Sequence, residues 1–294
     1  LCYMGNTFIN NTSYQGRLKE NTQLGAELIG DSTVDADAEI LAMAADCLHR
    51  AGLREFQLSV GHADFFRGLS EAAGLKEEQE EELRELISNK NYFGVSEFAE
   101  TLNLKEDLNN LFQMLGNLYV GSDELQKAKE YAAAYPKIKN AISRLEELHQ
   151  VLELYEIEKY VSFELGIVSN YQYYTGIIFA GYTFGSGEPV IKGGRYDELL
   201  TYFGKNSASI GFAVVIDQLM AALSRQKIEI PLVNQTLLLV YEPTQRQNAI
   251  TQAKRFREQG HYTELIVRDA GKSEAEYQAY AKRNHIAEVR FLNE

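Results

Sequence analysis

The 294-residue chain has no tryptophan, four prolines and two cysteines. Cys2 and Cys47 supply neither a disulfide framework nor a zinc-ligand pattern. So little cysteine fits a reducing, cytoplasmic setting. Long apolar runs are missing too: none approaches the ~20 residues a membrane span needs. No basic and apolar leader stands at the front, so a signal peptide is not visible. The chain opens at Leu1 and enters a strand at once, from which we expect the natural N-terminus to be missing. Positive charge is also scarce. Twenty-nine basic residues against 42 acidic ones give a formal net charge of −13, a poor starting point for gripping a nucleic-acid backbone. The deficit concentrates between Gly61 and Ile157, with 10 basic and 19 acidic residues; from Leu232 onward there are 9 and 8.

Catalytic signatures are absent as well. There is no G-x-S-x-G, no P-loop, no strand-linked G-x-G-x-x-G and no H-E-x-x-H. The five histidines, His49, His62, His149, His261 and His285, pair with no second ligand at a metal spacing, so each reads as structural and no metal or cofactor is expected.

What is present has a clear grammar. Residues 1–60 read as strand, polar loop, strand, helix, strand. The helix "DADAEILAMAADCLHRAG" has Asp35 or Asp37 near its start and Gly52 past its end, and "REFQLSVG" then alternates as a half-buried strand does. Residues 61–157 repeat apolar positions three and four apart, with breaks near Gly74, Asn103 and Gly121. Their acidic stretch "KEEQEEELRELISNK" reads as a solvated face. Strands resume at Tyr160, and "QYYTGIIF" read as a regular strand would turn Tyr173 and Tyr174 to opposite faces. "KGGRYDELL" reads as a glycine pair opening a helix. From Leu232 a β-α-β-α-β pattern predicts a small parallel sheet with helices on its faces. Residues 1–231 are therefore expected to form one domain with a helical insertion at about 61–157, and 232–294 a second.

Two stretches resemble histidyl-tRNA synthetases. "GGRYDELL" followed by "SIGFAVVIDQL" is similar to the C-terminal half of that catalytic domain. The opening "CYMGNTFINNTSYQGRLKENTQLGAELIG" resembles its motif 2, with Phe8, Gly16, Arg17, Gln23, Leu24, Gly25 and Glu27 in register. The resemblance implies an α+β fold: a class II synthetase antiparallel sheet with helices and an insertion, plus an anticodon-binding-like α/β domain. It also implies where chemistry has gone. The synthetase arginine positions fall on Ile9, Ser169 and Gln218, and Asn10, Asn11 and Thr12 follow the first. Nucleotide activation needs positive charge where negative charge develops, and one lost donor costs ~10²–10³ in rate. The amino-acid side reads differently. Gln23, Glu27 and Tyr174 stand where the family meets the histidine amine and imidazole, and a carboxylate with a phenol can read both ring nitrogens. Arg17, Tyr173, Gly193, Gly194 and Arg195 complete the candidate histidine-binding set. Against this, Gln23 and Glu27 could be ordinary strand polars, one tyrosine could be packing, and Gly193–Arg195 could be a structural turn.

A synthetase frame without nucleotide arginines resembles the regulatory-subunit branch of ATP phosphoribosyltransferase, whose wording "YYTGIIFAGYTF" and "GGRYDELLTYF" approaches. That resemblance implies a non-catalytic subunit, self-associating as a dimer, joined to a short-form catalytic subunit in a hetero-octamer. The assembly makes phosphoribosyl-ATP and takes histidine as inhibitor. Two alternatives remain at this point: a non-catalytic histidine or tRNA sensor of the same fold, and a true histidyl-tRNA synthetase.

Overall fold

The computed structural model describes residues 1–8, 19–117, 120–168, 173–230 and 236–292. Two compact units result, Leu1–Glu229 and Ile230–Glu294. The candidate positions Ile9, Arg17 and Ser169, with Asn10, Asn11 and Thr12, lie outside the described residues.

The first unit is built on a seven-stranded sheet. Strands β1 (Cys2–Phe8) and β2 (Glu20–Ile29) form the hairpin that opens the chain. Helix α1 (Val34–Arg50) follows. The Thr33 hydroxyl accepts from the Ala36 amide at its start, and Gly52, with φ of 102°, takes the chain out beyond its end. Strand β3 (Phe56–His62) leads into six helices, α2 (Ala63–Ala73), α3 (Glu77–Ser88), α4 (Tyr92–Thr101), α5 (Glu106–Met114), α6 (Ser122–Tyr131) and α7 (Pro136–Leu154). Gly74 and Asn103, both in the left-handed region, end turns of this helical stretch. Strands β4 (Val161–Phe163), β5 (Ile177–Thr183), β6 (Ile191–Arg195) and β7 (Ser209–Val215) return to the sheet, and α8 (Ile216–Arg225) closes the unit. The order is β1-β2-β7-β6-β5-β3-β4, antiparallel throughout except where β4 runs parallel beside β3.

Alternation gives this sheet two different faces. One carries Ala26, Ile210, Phe212, Val214, Ile191, Phe179, Leu58 and Val60, which share a single core with Ile40, Leu41 and Leu48 of α1 and Ile142, Leu145 and Leu148 of α7. The other is left low by glycine and becomes the floor of a cavity. The glycine pair Gly193–Gly194 sits inside β6 and opens no helix, because both strand neighbours need its backbone in the ladder.

The second unit is a three-stranded parallel sheet in the order β10-β8-β9, from β8 (Thr236–Tyr241), β9 (Tyr262–Val267) and β10 (Glu288–Leu292). Helices α9 (Arg246–Glu258) and α10 (Glu274–Arg283) pack on separate apolar clusters, with Leu237 and Leu239 in one and Leu238 and Val240 in the other. Helices thus cover both faces of the central strand, as its unbroken apolar sequence predicts.

Among the described residues no helix is long and apolar enough to cross a membrane, and no group of His, Cys, Asp or Glu is arranged to hold a metal ion. The histidines have other work. His49 bonds the Tyr160 hydroxyl at 2.7 Å and packs edge-on against Phe56. The Nδ1 of His62 accepts from the Asp64 amide at the start of α2. Burial, with Arg144, Arg67 and Arg195 nearby, lowers the His62 pKa to about 4, against the opposing pull of Asp64. Its ordinary value is 6.5, so the unfolded chain takes up this proton first as pH falls, and folded stability drops below pH 6.5. From pH 7 to pH 5 the loss from this residue is about 2 kcal/mol. Urea denaturation at the two pH values should show a flatter response in His62→Asn, which keeps a capping acceptor. An unchanged slope in that variant would assign the acid sensitivity elsewhere.

Candidate functional site

The cavity lies over the glycine-lowered face and encloses about 980 Å³. Ligand sites of small molecules fall in the range of about 300–1,000 Å³. Register explains its shape. Glu27, Gly211, Gly194, Ile178 and Gly61 form one continuous cross-strand row on this face. Three of the five are glycines, and a neighbouring side chain leans over each. The Glu27 carboxylate lies over Gly211, the Tyr174 ring over Gly194 and the Ile167 side chain over Gly61. In the next row toward Gln23, the Tyr3 ring crosses Gly25 in the same way. A Cβ at any of these glycines would occupy the space that the overlying side chain uses. Glycine is therefore needed here for close approach.

Glu27 is the centre of the polar wall. The Tyr196 hydroxyl donates to Glu27 Oε2, while Oε1 has no hydrogen bond among the described residues. Burial raises the Glu27 carboxyl above the usual range, and the bond from Tyr196 pulls it back. Burial and the adjacent carboxylate together push the Tyr196 phenol well up, so it stays protonated and donates. Burial, then Glu27, raises the Tyr3 phenol as well. Tyr173 packs 4.6 Å from Tyr174 and edge-on to Tyr196 at 6.0 Å between ring centroids. The regular-strand reading of these tyrosines does not hold, since β5 begins only at Ile177 and both rings line the cavity. An aromatic cage with one carboxylate oxygen open suits a flat, N–H-bearing ring such as imidazole.

Of the sequence candidates, Gln23, Glu27, Tyr173, Tyr174 and Gly193 line this cavity, as does Gln218 beside Asp217. Gly194 contributes floor beneath Tyr174. Arg195 does not come to the cavity. Alternation turns it to the helix side, where its Nε donates to Asp37 Oδ1 at 2.7 Å and its Nη1 to the Asp31 carbonyl and Asp197 Oδ1. Its Nη2 donates to the Thr33 carbonyl. Arg144 of α7 takes the other Asp37 oxygen. Asp37 is 0% exposed and Arg195 4%, and together they tie β6, the start of α1 and the helical insertion into one knot. Sequence reasoning missed Tyr196, Tyr3 and Glu164. For Tyr196 a signal existed: two residues past Gly194, it falls on the same face. The other two become visible only through packing.

The far wall comes from the insertion. Lys90, in the turn after α3 with φ of 55°, reaches the carboxylate of Glu164, which is 4% exposed. The described lining carries four carboxylates, Glu27, Glu164, Glu188 and Asp217, against the ammonium groups of Lys90 and Lys192, and no arginine. Such a cavity repels polyphosphate and tolerates a zwitterion.

Comparison with known proteins fits this geometry. A family model described as histidyl-tRNA synthetase matches residues 1–219. The ATP phosphoribosyltransferase regulatory subunit of Acetivibrio thermocellus is 38% identical over 267 residues, covering 91% of this chain and 64% of that protein. The regulatory subunit of Thermoanaerobacter pseudethanolicus is 34% identical over 291 residues, covering 99% of this chain and 73% of that one. A solved structure from Bacillus halodurans, titled as an ATP phosphoribosyltransferase regulatory subunit/histidyl-tRNA synthetase, superposes with a TM-score of 0.76 at 32% identity, covering 99% of this chain and 72% of that one. The histidyl-tRNA synthetase of Nostoc sp. superposes with a TM-score of 0.74 at 17% identity, covering 96% and 68%, which speaks for the fold alone. This chain thus spans roughly two thirds to three quarters of the length of these relatives. The chain belongs to the family of ATP phosphoribosyltransferase regulatory subunits, which shares the class II fold of histidyl-tRNA synthetases.

Proposed function

We propose that this chain is the non-catalytic regulatory subunit of ATP phosphoribosyltransferase, acting at the first step of histidine biosynthesis with its relic amino-acid pocket as the histidine sensor. The observation that carries the reading is the cavity's charge. A synthetase site must hold a triphosphate, yet the described lining is acidic, and Gln218 stands where the resemblance puts an arginine. The amino-acid side keeps its carboxylate, its phenols and its glycine floor. The partner is a short-form catalytic subunit, with which the chain forms a hetero-octamer, itself associating as a dimer. The glycosyl transfer belongs to that partner, and the setting is the cytoplasm. With a net charge of −13, nucleic acid is a poor partner for the chain as a whole.

Mixing the full-length protein with the short catalytic subunit should switch on phosphoribosyl-ATP formation that neither shows alone, and histidine should suppress it. Histidine-dependent ATP–pyrophosphate exchange should stay at the no-enzyme level, and Gln218→Arg alone should not restore it, since such groups act as a unit. Exchange above background would reinstate a synthetase. A catalytic subunit running equally fast without this chain would leave only a sensor of the same fold.

A further inference from the structure

The ligand proposed above carries a carboxylate, and the cavity offers little to receive one. Only two cations line it among the described residues, and Lys90 is already held by Glu164. Arg195 is turned away and saturated by Asp37, Asp197 and two carbonyls. Lys192 has no hydrogen bond or ion pair among the described residues, and it lines the cavity from β6.

Register fixes where Lys192 stands. It belongs to the row Gly25–Ala213–Lys192. That row lies between the Glu27–Gly211–Gly194 row and the Gln23–Val215 row, on the same face. The step from the Glu27 row is two residues, about 7 Å along the strands. The imidazole and the carboxylate of one histidine molecule are separated by about 6 Å at standard bond lengths. A ring held by Glu27 and Tyr196 with its backbone end toward Gln23 would put that end over Ala213, in the row that holds Lys192 and beside the Tyr3 ring that crosses Gly25.

We propose that Lys192 is a specificity-determining residue that receives the carboxylate of a free amino acid, so that the pocket selects histidine over its amide, ester and alcohol forms. The role rests on the histidine-pocket reading. Its chemistry follows from the surrounding charge. A carboxylate entering beside Glu27, Glu164, Glu188 and Asp217 meets repulsion unless a cation answers it. A lysine on a flexible stem, with no partner to give up among the described residues, can swing onto the ligand as a compact charge. Histidinamide and histidinol carry no carboxylate and a net positive charge, so they gain nothing from Lys192 and suffer from it.

Titration calorimetry of the full chain with L-histidine, L-histidinamide and L-histidinol tests this at neutral pH. Wild type should bind histidine at least roughly tenfold more tightly than the other two, the scale of one charge-assisted hydrogen bond. Lys192→Met should weaken histidine roughly tenfold and leave the amide equal or tighter, so that the preference vanishes or inverts. Lys192→Arg should keep it. Equal wild-type affinities, or a Lys192→Met variant that weakens all three alike, would overturn the role while leaving the pocket standing. Absence of any histidine binding to wild type would overturn the pocket and this role together.

Discussion

Asp37→Ala is expected to destabilise the first unit by roughly 3–5 kcal/mol, the cost of leaving a buried charge uncompensated. Asp37 is fully buried and accepts from two arginines, with Arg195 Nη2 and Arg144 Nη2 each at 2.7 Å. Removing it leaves the Arg195 guanidinium, which is 4% exposed, with the partly exposed Asp197 carboxylate as its one remaining ion-pair partner among the described residues, beside the Asp31 and Thr33 carbonyls. Arg144 suffers less because it is partly exposed. The paired change Asp37→Leu with Arg195→Met should cost much less than either single change, since apolar groups of similar size can replace a buried pair almost neutrally. Urea midpoints of the two single variants and the double give the coupling directly. If Asp37→Ala stayed within about 1 kcal/mol of wild type, the knot would not be holding β6, α1 and α7 together. Arg195 sits between Gly194 and Tyr196, so any slip of β6 also moves the cavity floor and the phenol that orients Glu27.

That knot shows where sequence reasoning ends. An aspartate in the first turn of a helix reads as an ordinary favourable charge at the helix N-terminus, and nothing local says that it is buried. Its partners stand 107 and 158 residues further on. The same limit explains Arg195, which the family resemblance drew into the pocket and the pleat turns out of it. Features that depend on neighbours in sequence were legible: the Gly52 and Gly74 exits, and the parallel tail read from β-α-β-α-β spacing. Gln23 and Glu27 were legible only through the family resemblance, and four apart on β2 they share a face. The wall contributed by Lys90 and Glu164 was not, since it joins the insertion to the segment after β4 across 74 residues. Period alone carries the elements; charge pairing across the sheet carries the site.

Glu27→Ala is expected to weaken histidine binding by roughly 1–3 kcal/mol, about 5- to 150-fold, the range for leaving a buried polar partner unpaired. The variant removes the open Oε1 that would accept an imidazole N–H, and it also frees the Tyr196 hydroxyl from its acceptor. Tyr196→Phe keeps the carboxylate but loses the bond that aims it, so about 1 kcal/mol is expected there. Tyr174→Phe reports whether a second phenol reads the ring. A site built around hydrogen bonds to both ring nitrogens should reject analogues lacking them far more strongly than an apolar slot would. In the complex with the catalytic subunit, linkage requires the converse of inhibition: a histidine that weakens the active state binds that state less well. The Glu27→Ala complex should therefore need correspondingly more histidine for half-inhibition. Calorimetry on the isolated chain and inhibition curves on the complex should shift by the same factor if one pocket serves both. Weakened calorimetric binding with unchanged inhibition would separate the two, placing the regulatory histidine at the subunit interface. Unchanged curves in both measurements would leave the Glu27 pocket a relic of the synthetase frame.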